Sequence, residues 1–227
     1  VDAGTYPGAT NNTLSLPVAL SGVQIIGANM STTIFNGGTT GTKNFLNILA
    51  QNVLVKNMSI KNYGYGGAIN VVGSDASVNT VVFLENLYLF NNLKTNLNYV
   101  SPSTNGYGGA LWLGISGANK PIDAHVTNCQ FDRNTAEDAG GGGAIYVSSN
   151  SNLIMDGSRV TCNNIGEIQA YDDGGGIYID NANATITRSF FSGNIAQDND
   201  GGAIQAINAT TTRSITISEC IFTKNEA

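Results

Sequence analysis

The chain reads as an all-β protein, a right-handed parallel β-helix (solenoid) of roughly seven coils of about 30 residues each, and three observations predict it. A Gly-Gly-Ala triplet, or a near copy, recurs five times, each followed by an aliphatic residue: Gly66-Gly67-Ala68-Ile69, Gly108-Gly109-Ala110-Leu111, Gly142-Gly143-Ala144-Ile145, Gly174-Gly175-Gly176-Ile177 and Gly201-Gly202-Ala203-Ile204. A second motif, an apolar residue followed by Asn three positions on, alternates with it, with starts at Leu89, Phe131, Val160, Phe191 and Phe222 and Asn at 92, 134, 163, 194 and 225. From Phe131 these starts advance to Val160, Phe191 and Phe222 in nearly equal steps. So regular a period marks a repeat architecture.

Each repeat carries at least two short strands. After the glycine turn, Ile69, Leu111, Ile145, Ile177 and Ile204 and then Val71, Leu113, Val147, Ile179 and Ala206 alternate with Asn70, Trp112, Tyr146, Tyr178 and Gln205. That is the period-2 pattern of a half-buried strand. Before the Asn motif, Val55, Leu84, Val126, Met155, Ile186 and Ile217 stand five positions ahead of the apolar starts Ile60, Leu89, Phe131, Val160, Phe191 and Phe222. No apolar stripe at helical spacing survives more than a few positions, because Gly and Asn interrupt every window. Equivalent strands recur once per repeat, so each can stack on its predecessor one strand spacing away. The glycines suit a corner that needs positive φ and close backbone approach, and the Asn a second corner, where its amide can bond the backbone or the Asn of the next coil.

The alternation of GGA[ILV] with FxxN resembles the repeat of the chlamydial polymorphic outer membrane proteins, within the pectate-lyase-like right-handed β-helix group. The resemblance covers about Asn52 to the C-terminus. It implies a surface-exposed passenger, adhesin or extracellular module, and it brings no catalytic residues. The opening, Val1-Asp2-Ala3-Gly4-Thr5-Tyr6-Pro7-Gly8 followed by Val23-Gln24-Ile25-Ile26-Gly27, is similar to the first coils of pectate-lyase-like β-helices, which include enzymes and non-enzymes.

One domain is expected over residues 1–227, with less regular N-terminal coils at 1–51, repeats at 52–227 and a loop insertion at 93–107. The insertion shows in the spacing: Ala110 stands much farther beyond Leu89 than Ala144 stands beyond Phe131 or Ala203 beyond Phe191. Charged residues are only 11% of the chain, and Asn, Ser, Thr and Gly are abundant, which suits an extracellular or cell-surface location. The net charge of −6 and the lack of a basic run argue against a nucleic-acid partner. No stretch is long enough for a transmembrane helix. Cys129 and Cys220 share one slot three coils apart, about 14 Å, too far for a disulfide, so the three cysteines are expected as small buried thiols.

Four groups of residues are candidates for function. Trp112, Tyr146 and Tyr178 occupy one outward slot on three consecutive coils, a row suited to sugar stacking, to a protein interface or to stiffening the solenoid. Tyr99 and Tyr107, from the insertion, are further contact candidates, since insertions in solenoids emerge as loops on one side. Asp138, Asp172, Asp173, Asp198 and Asp200 precede the glycine turn in successive coils, an oxygen-rich corner that can hold calcium or stand as solvated charge. Five N-x-S/T sequons, at Asn11, Asn29, Asn57, Asn183 and Asn208, are glycosylation sites if the source is eukaryotic and the protein secreted.

Catalysis has weaker support. The single histidine, His125, has Asp123 two positions before it, and no Ser/His/Asp set can be built around it. Arg133, Arg159 and Arg188 are available to face the acidic corner, but none stands out. The reading is a non-enzymatic surface β-helix, structural or adhesive, a building block of a filament or part of a longer surface protein. Its expected partners are further copies, neighbouring coils of a longer chain, or surface glycans. The alternative is a lyase or hydrolase acting on an acidic polysaccharide, with two of the carboxylates at glycosidase separation. The chain stops just after a complete Asn motif, with no closing helix or polar strand, so the last coil is expected to be covered by more coils or another subunit.

Overall fold

In the computed structural model every strand ladder is parallel. The structure describes residues 1–7, 13–38, 44–64, 66–73, 79–94, 107–115, 121–137, 141–166, 174–197, 201–207 and 212–227. Among them the strands form three sheets, and a single 3-10 turn at Val18–Leu20 is the only helical element.

The longest sheet is laid down by Val53–Lys61 and Thr80–Phe90, which run unbroken through a bend. In later coils the same path divides into two shorter strands, as in Ile122–Thr127 with Gln130–Asp132 and Asn152–Asp156 with Arg159–Thr161. The bend has one cause throughout. Asn57, Asn86, Asn128, Gly157, Arg188 and Glu219 occupy it with φ of 60°, 50°, 55°, 58°, 47° and 55°. This left-handed backbone favours Gly and Asn. The asparagines also link one coil to the next: Asn128 Nδ2 donates to Asn86 Oδ1 at 2.8 Å, and Asn86 Nδ2 to Asn57 Oδ1 at 3.1 Å. A second sheet runs from Leu14–Leu16 through Leu46–Ile48, Ile69–Gly73, Leu111–Ile115, Ile145–Val147 and Ile177–Asp180 to Ile204–Ile207. A small corner sheet holds Leu93–Lys94, Thr135–Ala136, Asn164–Ile165 and Ile195–Ala196.

The solenoid has about five turns, not the seven expected from chain length. The second sheet does count seven strands, but its first two, Leu14–Leu16 and Leu46–Ile48, belong to the less regular N-terminal region before Asn52. There the chain makes short strands such as Gly4–Pro7 and Gln24–Ile26 and spends its length between them. Dividing the whole length by one repeat treats every residue as coil and overcounts.

The predicted inward stacks are present. Ile69, Leu111, Ile145 and Ile177 are fully buried and in register, and Ile204 continues the row. Leu89, Phe131, Val160 and Phe191 form the second stack, and Phe222 lies on Phe191 with ring centroids 4.8 Å apart and planes 8° apart. Phe222 is 45% exposed, because no further coil lies beyond it among the described residues. Phe191→Ala, which empties a fully buried site between two coils, is expected to cost about 3–5 kcal/mol in urea denaturation.

The glycine turns behave as their sequence requires. Gly108, Gly142, Gly174 and Gly201 have φ of 69°, 74°, 75° and 78°. A Cβ on Gly142 would run into the carbonyl of Ile145. The Asn motif builds a ladder, buried at Asn92, Asn134, Asn163 and Asn194 and half-buried at Asn225. The Asn163 amide is typical. Its Oδ1 accepts from the Asn134 backbone N–H at 2.9 Å and from Asn134 Nδ2 at 3.0 Å. Its Nδ2 donates to Phe131 O at 3.0 Å and Asn194 Oδ1 at 2.9 Å. Two donors and two lone pairs are thus all used.

A parallel ladder of Cys129, Ser158, Ser189 and Cys220 lies two positions before the apolar starts. Cys129 N donates to Ser158 Oγ at 3.1 Å, Ser158 N to Ser189 Oγ at 3.1 Å, and Ser189 N to Cys220 Sγ at 3.4 Å. All three cysteines are free thiols, but only Cys129 is buried. Burial pushes its thiol up to about 12. Cys162 is exposed, correcting the expectation of three buried thiols. It sits at φ 54° in the other left-handed corner of the coil, where the side chain is turned to solvent.

Candidate functional site

The second sheet brings the predicted aromatic row together. Its register aligns Asn47, Asn70, Trp112, Tyr146, Tyr178 and Gln205 on successive strands, all on the side away from the core. The rings do not stand out into solvent as the alternation alone implies. Trp112 lies flat along its own strand over Gly114, where any Cβ would strike the indole, and Tyr178 covers Gly141 in the same way. Tyr146 is only 7% exposed. Tyr107 lies over it at 4.3 Å between centroids and 24° between planes, and Tyr178 flanks it at 5.7 Å and 32°. Burial, then the neighbouring Asp180 carboxylate, raises the Tyr146 phenol above its ordinary value.

Two positions along the same strands, a second outward row runs through Gly114, Ser148 and Asp180. Its first two members are small, which leaves a depression beside the aromatic row. The result is a groove of ≈ 120 Å³ lined by Tyr107, Trp112, Gly114, Tyr146, Ser148, Ser149 and Asp180. Tyr146 Oη donates to Asp180 Oδ2 at 3.1 Å and so ties two coils together across the groove. Trp112 Nε1 and Ser148 Oγ are buried in its wall with no hydrogen-bond partner among the described residues.

Behind the indole stands Lys94. It occupies the corner-sheet slot that Ala136, Ile165 and Ala196 fill in the following coils, a row buried apart from the main hydrophobic core. Its Nζ lies 4.4 Å from the Trp112 ring centroid and donates to Asn70 Oδ1 at 2.8 Å. Lys94 is 6% exposed, and no carboxylate pairs with it among the described residues. Burial draws its ammonium down from 10.5 to about 7.

The other candidates fare differently. Tyr99 and the five acidic positions Asp138, Asp172, Asp173, Asp198 and Asp200 lie outside the described residues, as do Asn11 and Asn208. Of the remaining sequon asparagines only Asn29 is exposed, and its Oδ1 caps a turn by accepting from the N–H groups of Ser31 and Thr32. Asn57 is held in its corner by Asn86, and Asn183 Oδ1 accepts from Ser214 N. His125 stacks on Phe83 at 4.9 Å on the outer face of the long sheet, and Asp123 accepts from Asn79 there, away from the groove. Arg133 pairs with Asp132, Arg188 with Asp156, and Arg159 covers Phe190.

The periodic pattern missed Gly114, Ser148, Asp180 and Lys94. A signal for Lys94 was available: it stands five positions after Leu89, as Ala136, Ile165 and Ala196 stand five after Phe131, Val160 and Phe191. A charged residue at a position otherwise Ala or Ile marks a departure from the repeat.

The molecule is thus a parallel β-solenoid built from sequence repeats, with an aromatic groove on its outer surface. Residues 128–148 and 188–207 match the Chlamydia polymorphic membrane protein repeat, a repeat of a surface-protein family, each match spanning one Asn motif and the glycine turn that follows it. No curated protein and no solved structure matches the chain. No helix among the described residues is long and apolar enough to cross a membrane.

Proposed function

We propose that this chain is a structural and adhesive module of a cell-surface or extracellular protein, a stiff β-solenoid that holds a recognition face away from the surface bearing it. The observation that carries this reading is the aromatic row. Trp112, Tyr146 and Tyr178 are aligned by the sheet, Tyr107 is added beside them, and together they border a groove on the outside of the solenoid. Aromatic residues on a rigid surface supply contact area at little entropic cost. The repeat match supports surface display. The stacked coils and the Asn ladder support rigidity, since each coil is bonded to the next through buried, satisfied amides.

The test is adhesion. Beads coated with the purified chain should adhere to cultured epithelial cells, and the double variant Tyr107→Ala/Tyr178→Ala should lose most of that adhesion while staying folded, with a stability loss in urea of about 1–3 kcal/mol from the two ring contacts with Tyr146. Beads that do not adhere, or a double variant that adheres as well as the parent, would overturn the reading.

A further inference from the structure

We infer that the groove bordered by Tyr107, Trp112, Tyr146, Ser148 and Asp180 is a subsite for one neutral pyranose ring of a glycan. The inference deepens the adhesive reading above by naming what the face recognises.

The argument starts from what a pyranose offers. A sugar ring has an apolar C–H face and a rim of hydroxyls, each both a donor and an acceptor. An aromatic wall together with donors and acceptors of hydrogen bonds therefore suits it, and a neutral ring does not require a charged partner. The groove has these parts. Tyr107 and Trp112 give the aromatic wall. Asp180 supplies carboxylate oxygens, one of them shared with the Tyr146 hydroxyl at 3.1 Å. Among the described residues Trp112 Nε1 is a donor without a partner, and Ser148 Oγ can donate and accept and has none either. Ser148 is 6% exposed, so its hydroxyl is a buried polar group left for something in the groove to satisfy. Leaving such groups unpaired costs about 1–3 kcal/mol each, and a ligand hydroxyl that pairs with them recovers part of that cost.

The same parts exclude other ligands. A purely apolar ligand would leave the indole N–H and the serine hydroxyl unpaired. A phosphate or uronate would meet the Asp180 carboxylate on a chain whose net charge is −6, and among the described residues the one nearby amine, on Lys94, lies over the indole ring and is already bonded to Asn70. One carboxylate about 6 Å from a ligand carboxylate, at an effective dielectric near 40, disfavours it by roughly tenfold. The depression itself depends on Gly114 and Ser148, and at ≈ 120 Å³ it is open enough to admit the edge of a ring.

Saturation-transfer NMR and calorimetric titration test this with methyl β-galactoside, methyl α-glucoside and methyl β-glucuronide as probes. At least one of the neutral glycosides is expected to receive saturation from the aromatic rings and to bind with Kd of about 1–10 mM, typical of a single small subsite. The glucuronide should bind about tenfold more weakly. Asp180→Asn keeps an acceptor for Tyr146 and removes the charge, so it should bring the ratio between glucuronide and neutral glycoside close to one. Tyr107→Ala, at a half-buried surface position, should weaken the neutral glycoside at least about fivefold through the lost stacking. No saturation of either neutral glycoside by the folded protein, a glucuronide that binds as tightly as they do, or unchanged binding in both variants would overturn the inference. The two readings fail separately. Beads that adhere through Tyr107 and Tyr178 without glycoside binding leave the adhesive reading standing and remove the sugar; glycoside binding by beads that do not adhere does the reverse.

Discussion

Asn163→Ala is expected to destabilise the solenoid by about 3–6 kcal/mol, more than most single changes in a protein of this size. The side chain is fully buried and holds three neighbours: Asn134, Phe131 and Asn194. Its removal leaves the buried Asn134 N–H without an acceptor, strips one bond from the Asn134 amide, and takes a donor from both Phe131 O and Asn194 Oδ1. Each orphaned buried group costs about 1–3 kcal/mol. Asn225→Ala provides the comparison. Asn225 is only half-buried, and its Nδ2 donates to Phe191 O but to no further Asn among the described residues, so the loss should be about half as large. Urea denaturation of both variants measures the difference. Equal and small costs would mean that the ladder accompanies the fold without holding it.

Lys94→Met is expected to change stability in the opposite direction and to alter its pH dependence. The ammonium titrates at about 7 in the folded chain and at 10.5 when unfolded. At about 1.4 kcal/mol per pH unit, that gap corresponds to a penalty of roughly 5 kcal/mol for keeping the buried amine protonated. The sign follows from proton counting. Between pH 7 and 10.5 the unfolded chain binds more protons at this site than the folded one, so stability rises with pH across that window. Below about pH 7 the penalty is present in full; above about 10.5 it is gone. Methionine fits a slot that is otherwise Ala or Ile, and it gives up the hydrogen bond to Asn70, worth about 1 kcal/mol. The variant should therefore be more stable by about 4 kcal/mol at pH 6, with the difference closing towards about pH 10.5. Denaturation at pH 6, 8 and 10 reads this directly. A parent and variant with parallel pH profiles would show that Lys94 keeps an ordinary pKa.

Lys94 also bears on the groove. Its ammonium holds the back of the Trp112 indole while Gly114 lies beneath the ring. A buried amine that costs stability is placed against the aromatic residue that borders the groove, a local break in an otherwise regular repeat. Breaks of this kind are where function and regular packing part company.

The repeat itself was legible in the chain. The Gly-Gly-Ala turns, the Asn motif and their steady period are local and recur, and each has one physical meaning: a corner that only glycine turns freely, an amide that bonds to its counterpart one coil on, an apolar slot that stacks. The row of Trp112, Tyr146 and Tyr178 followed from the same period, because a parallel register carries one slot from coil to coil. What the rings do there was decided by tertiary structure. Whether a ring stands out or lies down depends on the residue two positions along, Gly114 under Trp112, and on what crosses from another coil, Gly141 under Tyr178. The groove depends on Asp180 reaching Tyr146 across 34 positions of sequence and on Tyr107, the last residue of the insertion, returning over Tyr146. The burial of Lys94 against Asn70 and Trp112 likewise joins side chains from three different strands. Periodicity fixes which slot a residue occupies. It says nothing of the side-chain direction, close approach and loss of water that turn neighbouring slots into a site, since those depend on packing between coils.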